Sequence, residues 1–198
     1  MAENKKLPII TVSSEYGAGG RSVARSLSER LGIEFYDIDF IKLTAKVSGF
    51  SEEDIRREGE DLSELAKFLD RFLSTTSAVS SYDTIFQAQR EVVLQLAKKP
   101  CIIVGRCSNI ILREEGIPSF DIFLHADKEH RLKCAAELAE NGKVDLEKYL
   151  ERRDHNRNTY YRTYTHHEMG AYKDYTICLD TGTIGIDRSV DLLLQILQ

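Results

Sequence analysis

The chain opens on a continuous apolar run, Leu7 to Val12 ("LPIITV"), the pattern of a central strand buried on both faces. A turn from Ser13 to Gly20 follows. "RSVARSLSERLG" then puts Val23, Leu27 and Leu31 on one helical face and stops at Gly32. "IEFYD" predicts a short second strand that ends in acids at Asp37 and Asp39. From Phe40 to Lys99 the pattern turns helical and charged. "SEEDIRRE" carries a helix-start signature, "LSELAKFLDRFL" is amphipathic, and "TIFQAQREVVLQLAKK" is a longer helix halted near Pro100. No strand pattern interrupts that span, which reads as a helical insertion. "CIIVGR" and "SFDIFLHA" predict a third and a fourth strand, and "DKEHRLKCAAELAE" a helix capped by Asp127. Leu146 to Tyr164 is a strongly charged helix, "DYTICLDT" a fifth strand, and "GIDRSVDLLLQIL" a closing helix. Strands alternating with helices through short connections predict a parallel sheet covered on both faces, an α/β fold.

A length of 198 residues suits one domain, and 42% hydrophobic with 30% charged residues is ordinary for a globular chain with a sizeable core. The net charge of −5 offers no global basic field for a nucleic acid polymer or an acidic membrane; positive charge is local, as in "ERRDHNRNTYYR". No segment is long and apolar enough to span a bilayer, and "MAENKKLPII" lacks the marks of a signal peptide, so the cytoplasm is the expected location. Cys101, Cys107, Cys134 and Cys178 form no CxxC pair, which makes reduced, mostly buried thiols the expectation and a zinc site an unexpected one.

The chemistry concentrates in the first strand–loop–helix. Gly17, Gly19 and Gly20 fall between a buried strand and a helix start, where backbone N–H groups and the helix dipole can converge on an anion. Ser22 sits in the first turn, where a hydroxyl reaches nucleotide-bound Mg²⁺. Against the standard G-x-x-x-x-G-K-[ST] pattern, Gly20-Arg21-Ser22 holds the G-K-S positions, with Glu15 in place of the first glycine, so Arg21 would carry the missing lysine's charge. A tight turn that only joins strand to helix is the alternative. In the charged helix, Arg153 and Arg157 share one face with Asp154 beside them, and Arg162 and Lys173 add charge. Clustered arginines can stabilise a transferring phosphoryl group; a solvated, ion-paired face is the alternative. Asp37 and Gly105-Arg106 end the second and third strands, at the sheet edge where open α/β folds bind ligands. The five histidines show no metal spacing, and His166-His167 reads as loop.

Taken together, the chain resembles the cytidylate kinase-like family of P-loop nucleoside monophosphate kinases nearly end to end. "SSEYGAGGRSVARSLSERLGIEFYD" is similar to that family's opening loop and second strand, and "IFQAQREVVLQLAKKPCIIVGRCSNIIL" to its middle helix and Gly-Arg strand. "DHNRNTYYRTYT" is similar to its lid, and "YTICLDTGTIGIDRSVDLL" to its last strand and helix. The resemblance implies a P-loop NTPase three-layer fold: a five-stranded parallel sheet (core 1–39, 100–142 and 174–198), a helical acceptor-binding insertion at 40–99, and a helical lid at 143–173. It further implies ATP and Mg²⁺ as cofactors. Gly17, Ala18, Gly19, Gly20, Arg21 and Ser22 would form the phosphate loop, with Ser22 towards the metal and Thr183 and Gly185 bordering adenine. Arg153, Asp154 and Arg157 match the lid's R-D-x-x-R, with Arg162 further along. Arg106, Asp37 and Gln89 would face the acceptor. The sequence departs from ordinary cytidylate kinases at three places. Gly20 and Arg21 fall on the lysine and following glycine of G-x-G-K-G-T, Val104 replaces an acid before Gly-Arg, and Ile38 and Leu43 replace a serine and an arginine after the second-strand acid, with Lys42 the nearest base.

The expected activity is transfer of the γ-phosphoryl group of ATP to CMP, dCMP or a related small acceptor. The partners are small-molecule nucleotides. A catalytically weak nucleotide-binding module derived from such a kinase is the second expectation, favoured by the absent lysine.

Overall fold

The computed structural model describes residues 8–37, 51, 81–105, 107–138 and 145–197. The body of the proposed acceptor insertion, Arg106, and the positions Ile38, Lys42 and Leu43 lie outside the described residues.

Five strands form one parallel sheet: β1 (Ile9–Ser14), β2 (Glu34–Tyr36), β3 (Cys101–Val104), β4 (Ser119–His125) and β5 (Ile177–Asp180), in the order β2-β3-β1-β4-β5. The helices are α1 (Gly20–Leu31), α2 (Ser81–Leu96), α3 (Ser108–Glu114), α4 (Lys128–Leu138), α5 (Leu146–Thr165), α6 (Thr181–Ile184) and α7 (Ile186–Leu197). A 3₁₀ turn at Tyr172–Asp174 leads into β5. Each strand expected from the pattern is present. β1 runs to Ser14 rather than stopping at Val12, because β4 continues to pair with it as far as Ser14 opposite Leu124.

Strand side chains alternate between faces, and the core divides accordingly. Ile10, Val12, Ile102, Ile122, Leu124 and Leu179 join Val23 and Leu27 of α1 and Val190, Leu193 and Leu194 of α7 on one face. Cys101 and Ile103 point the other way, into a second core with α2, α3 and Tyr160 and Tyr161 of α5. At roughly 1.5–3 kcal/mol for each fully buried aliphatic side chain, these two layers fix the sheet's orientation. α3 has no counterpart in the sequence reading. Five of its seven residues are buried, so it shows no amphipathic alternation, and its cap is Cys107 in the left-handed region (φ 57°). Cys101 and Cys107 are buried as expected, but Cys134 and Cys178 are only half-buried. Burial pushes the Cys101 thiol up to about 11.

The chain leaves β1 towards β2 on one side and later places β4 on the other side of β1. β1 therefore stands at a topological switch point, and the loop after it opens on the carboxyl edge where ligands bind in such sheets.

Candidate functional site

The loop from Glu15 to Gly19 lies at that switch point, and neighbouring elements press on it from several sides. Gly17 takes φ 82°, and a Cβ there would come within 2.5 Å of the Arg131 carbonyl oxygen at the start of α4. Gly20 has ordinary backbone angles, but a Cβ there would run into the Ser14 side chain at the end of β1. Behind the loop, the buried Thr181 hydroxyl lies 2.9 Å from the Ala18 carbonyl and 3.1 Å from that of His125, where its one proton is shared. The strand–loop–helix is thus seated by packing, not just by flexible glycines.

α1 begins at Gly20 with Gly19 as its cap, no side chain bonds to its first turn, and no acid stands there. The first α-helical bond is from the Val23 N–H to the Gly19 carbonyl at 3.0 Å. The N–H groups of Gly20, Arg21 and Ser22 therefore precede the intrahelical ladder and face the end of the sheet with the helix dipole behind them. An arginine in that first turn opposes the dipole unless an anion is close. In the structure the anion is Asp37, which accepts from Arg21 Nε. Arg21 is 62% exposed. Ser22 is exposed beside it.

Helix α5 is docked on the same loop. Asp154 Oδ1 accepts the Tyr16 N–H at 2.8 Å, and Arg157 Nη1 donates to the Ser14 carbonyl at 2.9 Å. The Tyr16 ring carries two arginines of α5: the guanidinium carbon of Arg153 is 5.2 Å and that of Arg157 5.5 Å from its centroid, within cation–π range. Tyr149 meets the same ring edge-on at 5.5 Å. Burial and the neighbouring Tyr149 raise the Tyr16 phenol above its ordinary value, while the two arginines pull the other way.

One residue in this group has no motif of its own in the sequence. Arg131 of α4, 12% exposed, pairs with Asp154 Oδ2, stands 3.4 Å from Glu15 Oε2, and comes within 3.5 Å of the Tyr16 carbonyl. Glu15 also accepts the Ala126 N–H at 3.2 Å. The acid that replaces the pattern's first glycine is therefore a brace to α4 and β4. Its only signal in the sequence was the departure itself.

The other expected residues divide. Thr183 lies in α6, held through its hydroxyl (2.8 Å) and N–H (3.1 Å) by Asp180, whose carboxyl these bonds keep below its ordinary value. Gly185 (φ 83°) follows with open space around it. Both stand on the sheet's carboxyl edge, after β5. Gln89 is 1% exposed and accepts from the Tyr160 hydroxyl, in a layer where Phe86 of α2 stacks on Tyr164 of α5 at 4.4 Å. It joins α2 to α5. Arg162 pairs with Glu168 beyond the end of α5, away from the loop. His167 Nδ1 is 2.8 Å from the buried Asp174 carboxylate, which Arg113 also contacts at 2.7 Å, so this end of α5 is anchored to α3. A cavity of about 270 Å³ opens between Glu15, Phe123, Asp154, His155, Asn158 and Met169. It is a crevice under α5, lined by the start of the loop and not by the turn at Gly19–Ser22. Among the described residues, no group of three His, Cys, Asp or Glu could hold a metal ion, and no helix is long and apolar enough to cross a membrane.

Residues 9–183 match the family described as "Cytidylate kinase-like family". No curated protein matches the chain. Among solved structures, an uncharacterized protein from Eubacterium ventriosum ATCC 27560 is similar at 23% identity and TM-score 0.66, covering 96% of this chain and 98% of the other. A shikimate kinase from Acinetobacter baumannii in complex with shikimate is similar at 17% identity and TM-score 0.54, with coverage of 98% and 94%. A deoxyadenosine kinase from M. mycoides with products dCMP and dCDP bound is similar at 12% identity and TM-score 0.53, with coverage of 95% and 97%. At these identities the likeness is one of fold, that of the P-loop kinases.

Proposed function

Because the chain belongs to the cytidylate kinase-like family, we propose that it is an ATP- and Mg²⁺-dependent phosphotransferase acting on CMP, dCMP or a related small acceptor. The observation that carries this reading is the docking of a helix bearing Arg153, Asp154 and Arg157 onto Ser14 and Tyr16, the residues that lead from β1 into the glycine loop and the uncapped start of α1 at the sheet's switch point. An anion site alone needs the loop and the dipole. A phosphoryl-transfer site also needs cations that can reach the moving group.

The fit to a nucleotide triphosphate rests on the first turn of α1. Three N–H groups without intrahelical partners, no acid, and an arginine in that turn suit an anion of several charges. ATP with Mg²⁺ supplies the phosphoryl group and the positive charge that screens its oxygens. On this reading the loop from Gly17 to Ser22 holds the phosphates, and the Ser22 hydroxyl faces the metal. Thr183 and Gly185 border the base. Arg153 and Arg157 stabilise charge on the transferred group, Asp154 holds the lid helix against the loop, and lid closure excludes water. Asp37 and Arg106 serve the acceptor, with the buried Gln89 acting only through Tyr160, Arg162 adds charge within the lid, and the regions 40–99 and 143–173 act as acceptor-binding insertion and lid.

A specific observation favours a second reading, a nucleotide-binding module with little turnover. Arg21, the nearest candidate for the lysine's charge, is paired with Asp37, and it serves the phosphates only if it leaves that pair. Incubation with ATP, Mg²⁺ and a panel of monophosphates and small hydroxylated acceptors, following ADP, separates the two. Turnover with CMP or dCMP supports the first reading. ATP binding with no turnover on any acceptor supports the second and overturns the first. Turnover only with a hydroxylated acceptor keeps the phosphotransfer and moves the acceptor. In parallel, an Arg21→Ala variant with full activity would show that this arginine does not replace the lysine.

A further inference from the structure

We infer that Tyr16 is a positioning residue for the two lid arginines, an inference that rests on the phosphotransferase reading above. Two sets of contacts on this one residue carry it. Its backbone is fixed from both sides: the N–H donates to Asp154 at 2.8 Å, and the carbonyl lies within 3.5 Å of Arg131, itself held by Glu15 and Asp154. Its ring then projects from an immobilised peptide towards α5, with Arg153 at 5.2 Å, Arg157 at 5.5 Å and Tyr149 at 5.5 Å.

Arginine side chains have several rotatable bonds, and a lid arginine without a support would sample many directions at each closure. An aromatic face attracts a guanidinium while leaving the rim of N–H donors available, because the cation lies over the ring and its donors point outward. Tyr16 immediately precedes Gly17, so the support stands next to the loop that would hold the phosphates. Arg157 already has one donor on the Ser14 carbonyl, at the same end of β1. The arrangement thus pre-sets both cations beside the reaction site through one loop side chain. Misplacement of a catalytic group by about 1 Å costs on the order of 100-fold in rate, so loss of the ring acts on turnover more than on nucleotide affinity.

The test compares Tyr16→Leu, which removes the aromatic face, with Tyr16→Phe, which keeps it. Both leave the backbone bonds to Asp154 and Arg131 in place. Arginine-labelled protein is followed by NMR, with Arg153→Lys and Arg157→Lys providing assignments. The side-chain protons of Arg157 are expected to show a ring-current shift that vanishes in Tyr16→Leu and returns in Tyr16→Phe, and those of Arg153, which also lies 5.9 Å from the Tyr149 ring, a shift that shrinks in Tyr16→Leu and recovers in Tyr16→Phe. In the acceptor assay, Tyr16→Leu is expected to lower kcat about 10- to 100-fold with KM for ATP changed less than about threefold, and Tyr16→Phe to recover most of the loss. Unshifted arginine protons in the wild type overturn the inference. So does a Tyr16→Leu variant whose kcat is unchanged or raised, or whose loss is all in KM. A wild-type protein that turns over no acceptor sinks the phosphotransferase reading instead, and the NMR arm still decides whether Tyr16 holds the arginines.

Discussion

On the α5 flank of the loop, Arg131 is 12% exposed and stands between Glu15 and Asp154; on the other flank, Arg21 is 62% exposed and, among the described residues, pairs with Asp37. Both are arginine–carboxylate contacts at the same strand end, yet their consequences differ. A cation shielded from water and held between two acids loses little to screening, and each partner depends on it. An exposed pair gains little and is readily exchanged for another anion. The difference teaches that the loop is built rigid on its Glu15–Tyr16 side and left available on its Gly20–Ser22 side. On the proposed function, a loop that must hold its shape while admitting a charged ligand needs that division.

The sharpest way to break this contrast is Arg131→Met. Removing the shared cation leaves Glu15 and Asp154 close together without compensation, and a loss of about 3 kcal/mol is expected in urea unfolding. A midpoint within error of the wild type would show that the brace is no more than a surface pair. Gly17→Ala comes next. The added methyl would meet the Arg131 carbonyl oxygen at 2.5 Å from a left-handed backbone, and about 2 kcal/mol is expected to be lost, together with weaker ATP binding. An alanine variant of full stability would mean that α4 yields to the loop.

A carboxylate hydrogen-bonded by hydroxyls rather than by an arginine sharpens the comparison further. Asp121 in β4 is buried and is served by hydroxyls, Thr11 at 2.7 Å and Ser119 at 2.8 Å. Burial raises its carboxyl above the ordinary range despite those bonds. A raised acid contributes stability that is complete below the unfolded-state value of about 3.9 and is lost as pH rises through the folded value. Asp121→Asn should therefore remove a decline in stability seen in the wild type from that pH upward. Parallel stability–pH curves for the two proteins would contradict the assignment. The smallest effect is expected at Arg21→Ala, under about 0.5 kcal/mol in the same unfolding measurement, because its pair is solvent-screened. A loss above 1 kcal/mol would place Arg21 with Arg131 and not opposite it.

How much of this was legible in the sequence follows from what each feature depends on. The five strands, α1 with its stop at Gly32, and the cap of Asp127 on His130 at 2.8 Å are written in local periodicity and local side-chain chemistry. α3 escaped because a helix buried nearly all round shows no period to read, and its left-handed Cys107 cap is not a residue type that announces one. The glycine loop and the R-D-x-x-R of the lid were visible as spacing. Gln89 was visible too, but its seat under Tyr160, away from solvent, was not.

By itself, the amino-acid order determined which segments become strand or helix, because backbone preference and apolar period act over a few residues. It also determined that glycines, an arginine and a serine meet at one helix start. Only the tertiary structure decided which charges face one another. Residues 15, 131 and 154 are far apart in the chain, and their contact depends on α4 and α5 both packing against the end of β1. Arg21 was the expected partner of the loop, yet folding gives it to Asp37 and leaves the more buried position to Arg131, whose charge is offset there by Asp154 and Glu15.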